Sequence, residues 1–273
     1  MNNKIYKPFN LIEALRMRAD FDIVPYAGGT DLMVSSETPS FLFIGDLQEL
    51  QDIYYDDKGL HIGPCINYTE LLHHYLCPEL LQETIRKLAA PAIRNQGTIG
   101  GNICNASPAG DTLPVLLLYD TKLVLQSTQG QRTVLLSDFI AGRKQIDLRS
   151  DELLVDIILQ KKGFNSTYYH KIGSRKAMTI SKTAVAAAAT IDNDKVVEIG
   201  IAFASMYKTP LRFPEIEQGM TGLSLEDLAL NRSVFVEQYS KLLHPISDVR
   251  STAEYRKNAT LNLVDDFLQN ISK

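Results

Sequence analysis

Residues 91–114 read PAIRNQGTIGGNICNASPAGDTLP, and this stretch constrains the fold more than any other. Gly97, Gly100, Gly101 and Gly110 stand there among Thr98, Asn102, Asn105 and Ser107, with three prolines. Such a composition predicts 24 residues of non-repetitive backbone, too long for a simple connector and therefore expected to do something. Paired glycines leave backbone amides accessible, and the short polar side chains between them add hydrogen-bonding groups. Polar atoms this dense must either meet solvent or wrap a polar ligand. Asp111 cannot help a diphosphate, but it could accept from a sugar hydroxyl or a loop amide. A buttressed surface loop is the plain alternative.

A second glycine loop lies upstream, Tyr26-Ala27-Gly28-Gly29-Thr30-Asp31-Leu32, directly after a predicted strand over 21–26. Two glycines after a strand can form an anion-binding nest; Thr30 adds a hydroxyl and Asp31 a cap. The pattern is neither GxGxxG nor a P-loop, since no phosphate-binding lysine follows. A tight turn would look the same. Neither loop holds a nucleophile–base pair, so together they suggest a cradle for a large phosphorylated cofactor. A third stretch, YYHKIGSRKAMTISK at 168–182, gathers Lys171, Arg175, Lys176 and Lys182. It is either a solvated basic face or a cation near a cofactor ring that takes up negative charge on reduction.

Around these loops the periodicity predicts alternating helices and strands. Asn10 caps a helix from Leu11 with Ile12, Leu15 and Ala19 on one face. Short strands are expected at 41–44 and 60–63, and helices at 68–75 and 80–90. A hairpin turns at Gln129-Gly130, and LLVDIIL at 153–159 is a strand. Polarity rises at 161–166, which suggests a domain boundary. Beyond it, strands at 167–172, 183–190 and 196–204 precede a helical tail. Ser251-Thr252-Ala253-Glu254 has the form of a capping box opening a last helix, with Leu261, Val264, Leu268 and Ile271 as its apolar stripe. The class is α+β.

With 28 Lys+Arg against 32 Asp+Glu the net charge is −4, so nucleic acid and anionic membrane are poor partners. The N-terminal MNNKIYKPFNLIEALRMRAD has no signal-peptide core, and no run nears the ~20 apolar residues of a membrane span, so a cytoplasmic chain is expected. Cys65, Cys77 and Cys104 lack any CxxC pair. An iron–sulfur cluster takes about four thiolates. Redox work in this chain must therefore borrow its cofactor or its metals, and no metal site is expected.

The same residues carry a resemblance. YAGGTDL, RNQGTIGGNICNASPAGDTLPVLLLYD, SRKAMTISKTAVAAA and HPISDVRSTAEYRK resemble the FAD-binding (medium) subunit of molybdenum hydroxylases, the xanthine, carbon monoxide and nicotinate dehydrogenase group. The matches run from near residue 6 to near residue 270. The resemblance implies a p-cresol methylhydroxylase-type FAD-binding fold on 1–163, in subdomains of about 1–58 and 59–163. A smaller C-terminal α+β domain on 164–273 follows. It also implies non-covalent FAD. Tyr26, Ala27, Gly28, Gly29, Thr30, Asp31 and Leu32 would line the diphosphate. Thr98, Gly100, Gly101, Asn102, Asn105, Gly110 and Asp111 would hold diphosphate, ribose and flavin edge, and Cys104 would contribute backbone. Leu154 would lie by the cofactor, and Lys171 would tune the reduced ring. Animal xanthine dehydrogenases stack a phenylalanine on the flavin; the matching stretch here is Lys87-Leu88-Ala89-Ala90, which supplies none.

The implied role is electron transfer. A large subunit with molybdenum cofactor would oxidise a heterocycle, a small [2Fe–2S] subunit would deliver the electrons, and FAD would pass them to NAD or another acceptor. Two rivals stand beside it: a self-standing flavoenzyme of the same fold, and a scaffold subunit that has lost the flavin.

Overall fold

The computed structural model describes residues 4–35, 40–175 and 178–273. The chain forms two compact units. The first comprises Met1–Pro78, Leu88–Ser107 and Tyr119–Lys161; the second comprises Glu79–Lys87, Pro108–Leu118 and Lys162–Lys273.

The first unit opens with a three-stranded parallel sheet in the order Lys4–Tyr6, Ser40–Phe43, Val24–Tyr26. The helix Leu11–Asp20 begins where expected, because the Asn10 side chain accepts from the Glu13 amide at 2.9 Å. Its buried residues are Ala14 and Leu15, whereas Ile12 is exposed, so the inward face is rotated from the predicted one. Ala14, Leu15, Ile23 and Leu42 share a core with Leu47, Leu50, Leu153 and Val155. That core joins the small sheet to a five-stranded antiparallel sheet. Its strand order is Ile53–Tyr55, Leu60–Ile62, Leu153–Leu159, Lys122–Ser127, Gly130–Leu135.

The largest departure from the sequence reading falls within 91–114. Three short helices replace the expected irregular backbone, at Pro91–Arg94, Ile99–Asn105 and Leu113–Leu118, the last belonging to the second unit. Helix survives at Gly100-Gly101 for a local reason. Thr98 caps it by accepting the Gly101 amide at 3.0 Å. Gly100 lets the helix press on another segment, for a Cβ there would lie 2.4 Å from Pro64 Cβ.

The second unit is built on an antiparallel sheet ordered Ser166–Ile172, Thr183–Asp192, Lys195–Ala204, Leu211–Arg212. Residues 184–189, AVAAAA, are wholly buried although successive side chains alternate faces. Val185, Ala187 and Ala189 join a core with Val264, Phe267 and Leu268 of the C-terminal helix. The helix Leu113–Leu118, all six residues buried, packs on the same strand and its neighbour. Gly200 admits it, since a Cβ there would stand 2.8 Å from Leu118 Cδ2. The C-terminal helix Ala253–Ile271 is capped one residue later than read, by Thr252 accepting the Tyr255 amide at 3.2 Å. With Tyr255 in the third helical position the expected box with Glu254 does not form.

Candidate flavin site

In the first unit the two glycine loops meet. A Cβ on Gly28 would fall 1.8 Å from the Gln96 carbonyl oxygen, so only glycine lets the loops touch there. Gly97 answers from the other side: its missing Cβ would be 3.3 Å from Thr30 Oγ1. Gly29 has φ +66°, the left-handed conformation the turn requires, and its carbonyl starts the short helix Leu32–Ser35 by accepting from Met33. Asp31 lies 3.6 Å from Lys144. Tyr26 ends its strand packed edge-on against Phe41 and tilted on Phe43.

The second loop is braced through its backbone. The Tyr68 amide donates to Gly97 O, Gly97 to Ile93 O, Ile99 to Ile66 O and Gly100 to Pro64 O, at 2.7–3.2 Å. The amides of Gly97, Gly100 and Gly101 are therefore spent on the protein itself. Gly101 is helical and exposed; its lack of a side chain keeps the surface open rather than permitting positive φ. Asn102 and Asn105 share that helix, on its partly exposed side. Burial pushes the Cys104 thiol up to about 12, so the sulfur is a neutral thiol near pH 7 and no nucleophile. Leu154 is buried in the strand Leu153–Leu159, at a register irregularity, between two residues that point into the core holding Ala27.

The second unit contains Gly110, Asp111 and Lys171. Lys171 Nζ and Asp111 Oδ2 form an ion pair at 2.6 Å, with side chains 6% and 10% exposed. Burial raises the Asp111 carboxyl despite the lowering effect of Lys171. The segment leading to Asp111 is tied down by the Ser205 amide on Pro108 O at 2.7 Å and by Ser181 Oγ on Ala109 O at 3.4 Å. The basic cluster is not one solvated face. Lys171 is buried and paired, and Lys182 lies over the Tyr255 ring at 5.2 Å. Arg175 is exposed, and Lys176 lies outside the described residues.

Tyr169 was missed by the sequence reading. It is 1% exposed, and its hydroxyl and Asp111 Oδ1 are both buried with no well-aligned hydrogen bond, although the phenol and the carboxylate interact with each other. The signal was its position two residues before Lys171, which puts both on one strand face. Among the described residues no group of three or more His, Cys, Asp or Glu could hold a metal, and no helix is long and apolar enough to cross a membrane.

In the first unit, touching glycine loops and a left-handed Gly29 fit a large polar cofactor better than a small substrate. An α+β chain with such loops is of the cofactor-binding class.

Comparison with known proteins narrows this. The family described as FAD binding domain in molybdopterin dehydrogenase matches residues 1–160. The CO dehydrogenase flavoprotein C-terminal domain matches 168–271. The xanthine dehydrogenase FAD-binding subunit of Escherichia coli O157:H7 is 30% identical over 266 residues, covering 92% of this chain and 89% of that protein. The nicotinate dehydrogenase FAD-subunit of Eubacterium barkeri is 29% identical, covering 81% and 80%. Reconstituted CO dehydrogenase from Oligotropha carboxidovorans shares the fold, with TM-score 0.91 at 24% identity over 100% of this chain and 98% of that one. The chain belongs to the FAD-binding medium subunits of the molybdopterin hydroxylases, as an oxidoreductase subunit of α+β fold with the expected C-terminal domain.

Proposed function

We propose that the chain is the electron-relay subunit of a xanthine dehydrogenase-like assembly. It takes electrons from a small [2Fe–2S] partner, served by a large molybdenum cofactor subunit, and passes them to NAD or another acceptor. The observation that carries this is the seat of Gly28 on the Gln96 carbonyl, which makes one cradle of the two glycine loops. Bound non-covalently, FAD would supply the exchange between one-electron donors and a two-electron acceptor; the protein supplies position and charge. Ala27 to Leu32 offer backbone amides and the Thr30 hydroxyl to the diphosphate. Thr98, Gly101, Asn102 and Asn105 offer an open helical surface beside them. Leu154 contributes an apolar wall, and Lys171, held by Asp111, a cation for the reduced ring. The helix beginning at Pro91 follows a stretch without an aromatic, so ring cover comes from elsewhere. The same reading sets the domain join at Gly163, with 1–163 as the FAD-binding domain and 164–273 as the second.

Iron is assigned to a partner because Cys65, Cys77 and Cys104 are too few and scattered for a cluster, and Cys65 is held as a neutral thiol by burial. The test is purification of the single chain and of the chain with whatever co-purifies. The chain alone should be yellow, release FAD into acid supernatant, and reduce a dye with NADH. Hydroxylation of a purine or nicotinate should need the other subunits. A metal-free single chain that hydroxylates either compound would overturn the subunit reading in favour of a self-standing flavoenzyme. A chain that cannot be loaded with FAD would favour the scaffold.

A further inference from the structure

Lys171 and Tyr169 leave the same face of the strand Ser166–Ile172, two residues apart. Asp111 meets Lys171 through Oδ2 at 2.6 Å, but its Oδ1 is buried without a well-aligned hydrogen bond. The Tyr169 hydroxyl is likewise buried without a well-aligned hydrogen bond. The two groups already interact: burial raises the phenol pKa first, and the Asp111 charge and a loose side-chain hydrogen bond to Asp111 add to it. A phenol so perturbed stays protonated and is a donor; a carboxylate oxygen is an acceptor. A poorly aligned bond leaves each group part of its desolvation cost inside the protein, and aligning the hydroxyl on Oδ1 removes it. The backbone of Tyr169 is already fixed, since Lys87 Nζ donates to its carbonyl at 2.8 Å while pairing with Glu83 at 2.6 Å.

We propose that Tyr169 is a positioning residue of the flavin site: its hydroxyl donates to Asp111 Oδ1, turns the carboxylate toward Lys171, and so fixes where the lysine charge stands. The inference rests on the reading that FAD binds beside Lys171. With Tyr169 in place, part of the Asp111 charge is answered by the hydroxyl, and the field that the pair presents is more positive. Without the hydroxyl the carboxylate is loosely held and offsets more of the lysine.

Two measurements test it. In the FAD-loaded chain, Tyr169→Phe should shift the flavin midpoint potential negative, in the direction of Lys171→Met but by less. The double variant should equal Lys171→Met alone, because the hydroxyl acts only through the pair. In the flavin-free chain, Lys171 should react severalfold faster with an amine-reactive reagent, read by peptide mass analysis, in Tyr169→Phe and in Asp111→Asn. A Tyr169→Phe chain with wild-type potential and wild-type labelling would reduce Tyr169 to a packing residue and overturn the proposal. If Lys171→Met leaves the potential unmoved, the flavin reading of Lys171 fails. The labelling result then decides the Tyr169–Asp111 link by itself.

Discussion

Two glycines of the cradle, Gly28 and Gly101, do different work and should respond differently to the same methyl group. At Gly28 a Cβ would overlap the Gln96 carbonyl at 1.8 Å, so any side chain must force the loops apart. Gly28→Ala is expected to destabilise the flavin-free chain by about 1–3 kcal/mol, as overpacking does, and to lose FAD as well. At Gly101 the added Cβ meets only Thr98 Oγ1 at 2.9 Å, on an exposed helical position. There alanine is the better helix former by about 1 kcal/mol, so Gly101→Ala should stay folded while FAD affinity falls. Urea unfolding of the flavin-free proteins and FAD titration separate the two effects. A Gly101→Ala chain that titrates like wild type would move the cofactor off that helix.

The elements carrying the first unit's large sheet are tied by one arginine. Arg132, on the strand Gly130–Leu135, bonds Glu152 through Nε at 2.7 Å and Nη2 at 2.8 Å, and Asp147 through Nη1 at 2.6 Å. Glu152 is 3% exposed, and its carboxyl is held below the usual range first by the bonds from Arg132. A carboxyl lowered in this way stabilises the fold above its unfolded value near 4.5, and that contribution is lost as pH falls through the lower folded value. Arg132→Met should therefore cost about 2 kcal/mol at pH 7, the scale of hydrogen bonds to a buried charge. It should also remove part of the stability loss between that range and lower pH. Stability measured by denaturant at pH 7 and pH 3 checks both, and an equal loss at the two pH values would exclude the clasp as the cause. Helix formation at Ile99–Asn105 belongs to this scale too. The sequence Gly100-Gly101 argues against helix, and the Thr98 cap with the contact on Pro64 outweighs that propensity.

For the whole molecule, bound FAD is expected to stabilise the folded chain by mass action, about 2.7 kcal/mol at a free concentration a hundred times its dissociation constant. Thermal unfolding at rising FAD should show a steadily increasing midpoint, FMN should have a much smaller effect, and acid should release all the flavin. Flavin left in the acid pellet would mean a covalent bond and contradict the reading. The two compact units give a reason to follow unfolding by more than one probe. A stretch of the second loop, Pro108–Leu118, belongs to the second unit while Leu88–Ser107 belongs to the first.

The sequence alone determined the class, most strand and helix positions, and the two glycine loops, because periodicity, caps and turn residues act over a few neighbours. Asn10 and the stripe ending at Ile271 were legible for that reason; the hairpin was too, but its turn is Thr128-Gln129, with Gly130 opening the second strand instead of closing the turn. The cradle residues Gly28, Gly97 and Thr30 were named, but not that Gln96 is what Gly28 must touch. That contact joins segments about seventy residues apart, and no local pattern encodes it. The burial of Lys171 against Asp111, sixty residues away, is of the same kind; its charge reads as surface until the partner is known. Tyr169 shows the boundary best. Its place on the Lys171 face follows from strand alternation, whereas its interaction with Asp111, from a distant segment, exists only because folding buries the two together.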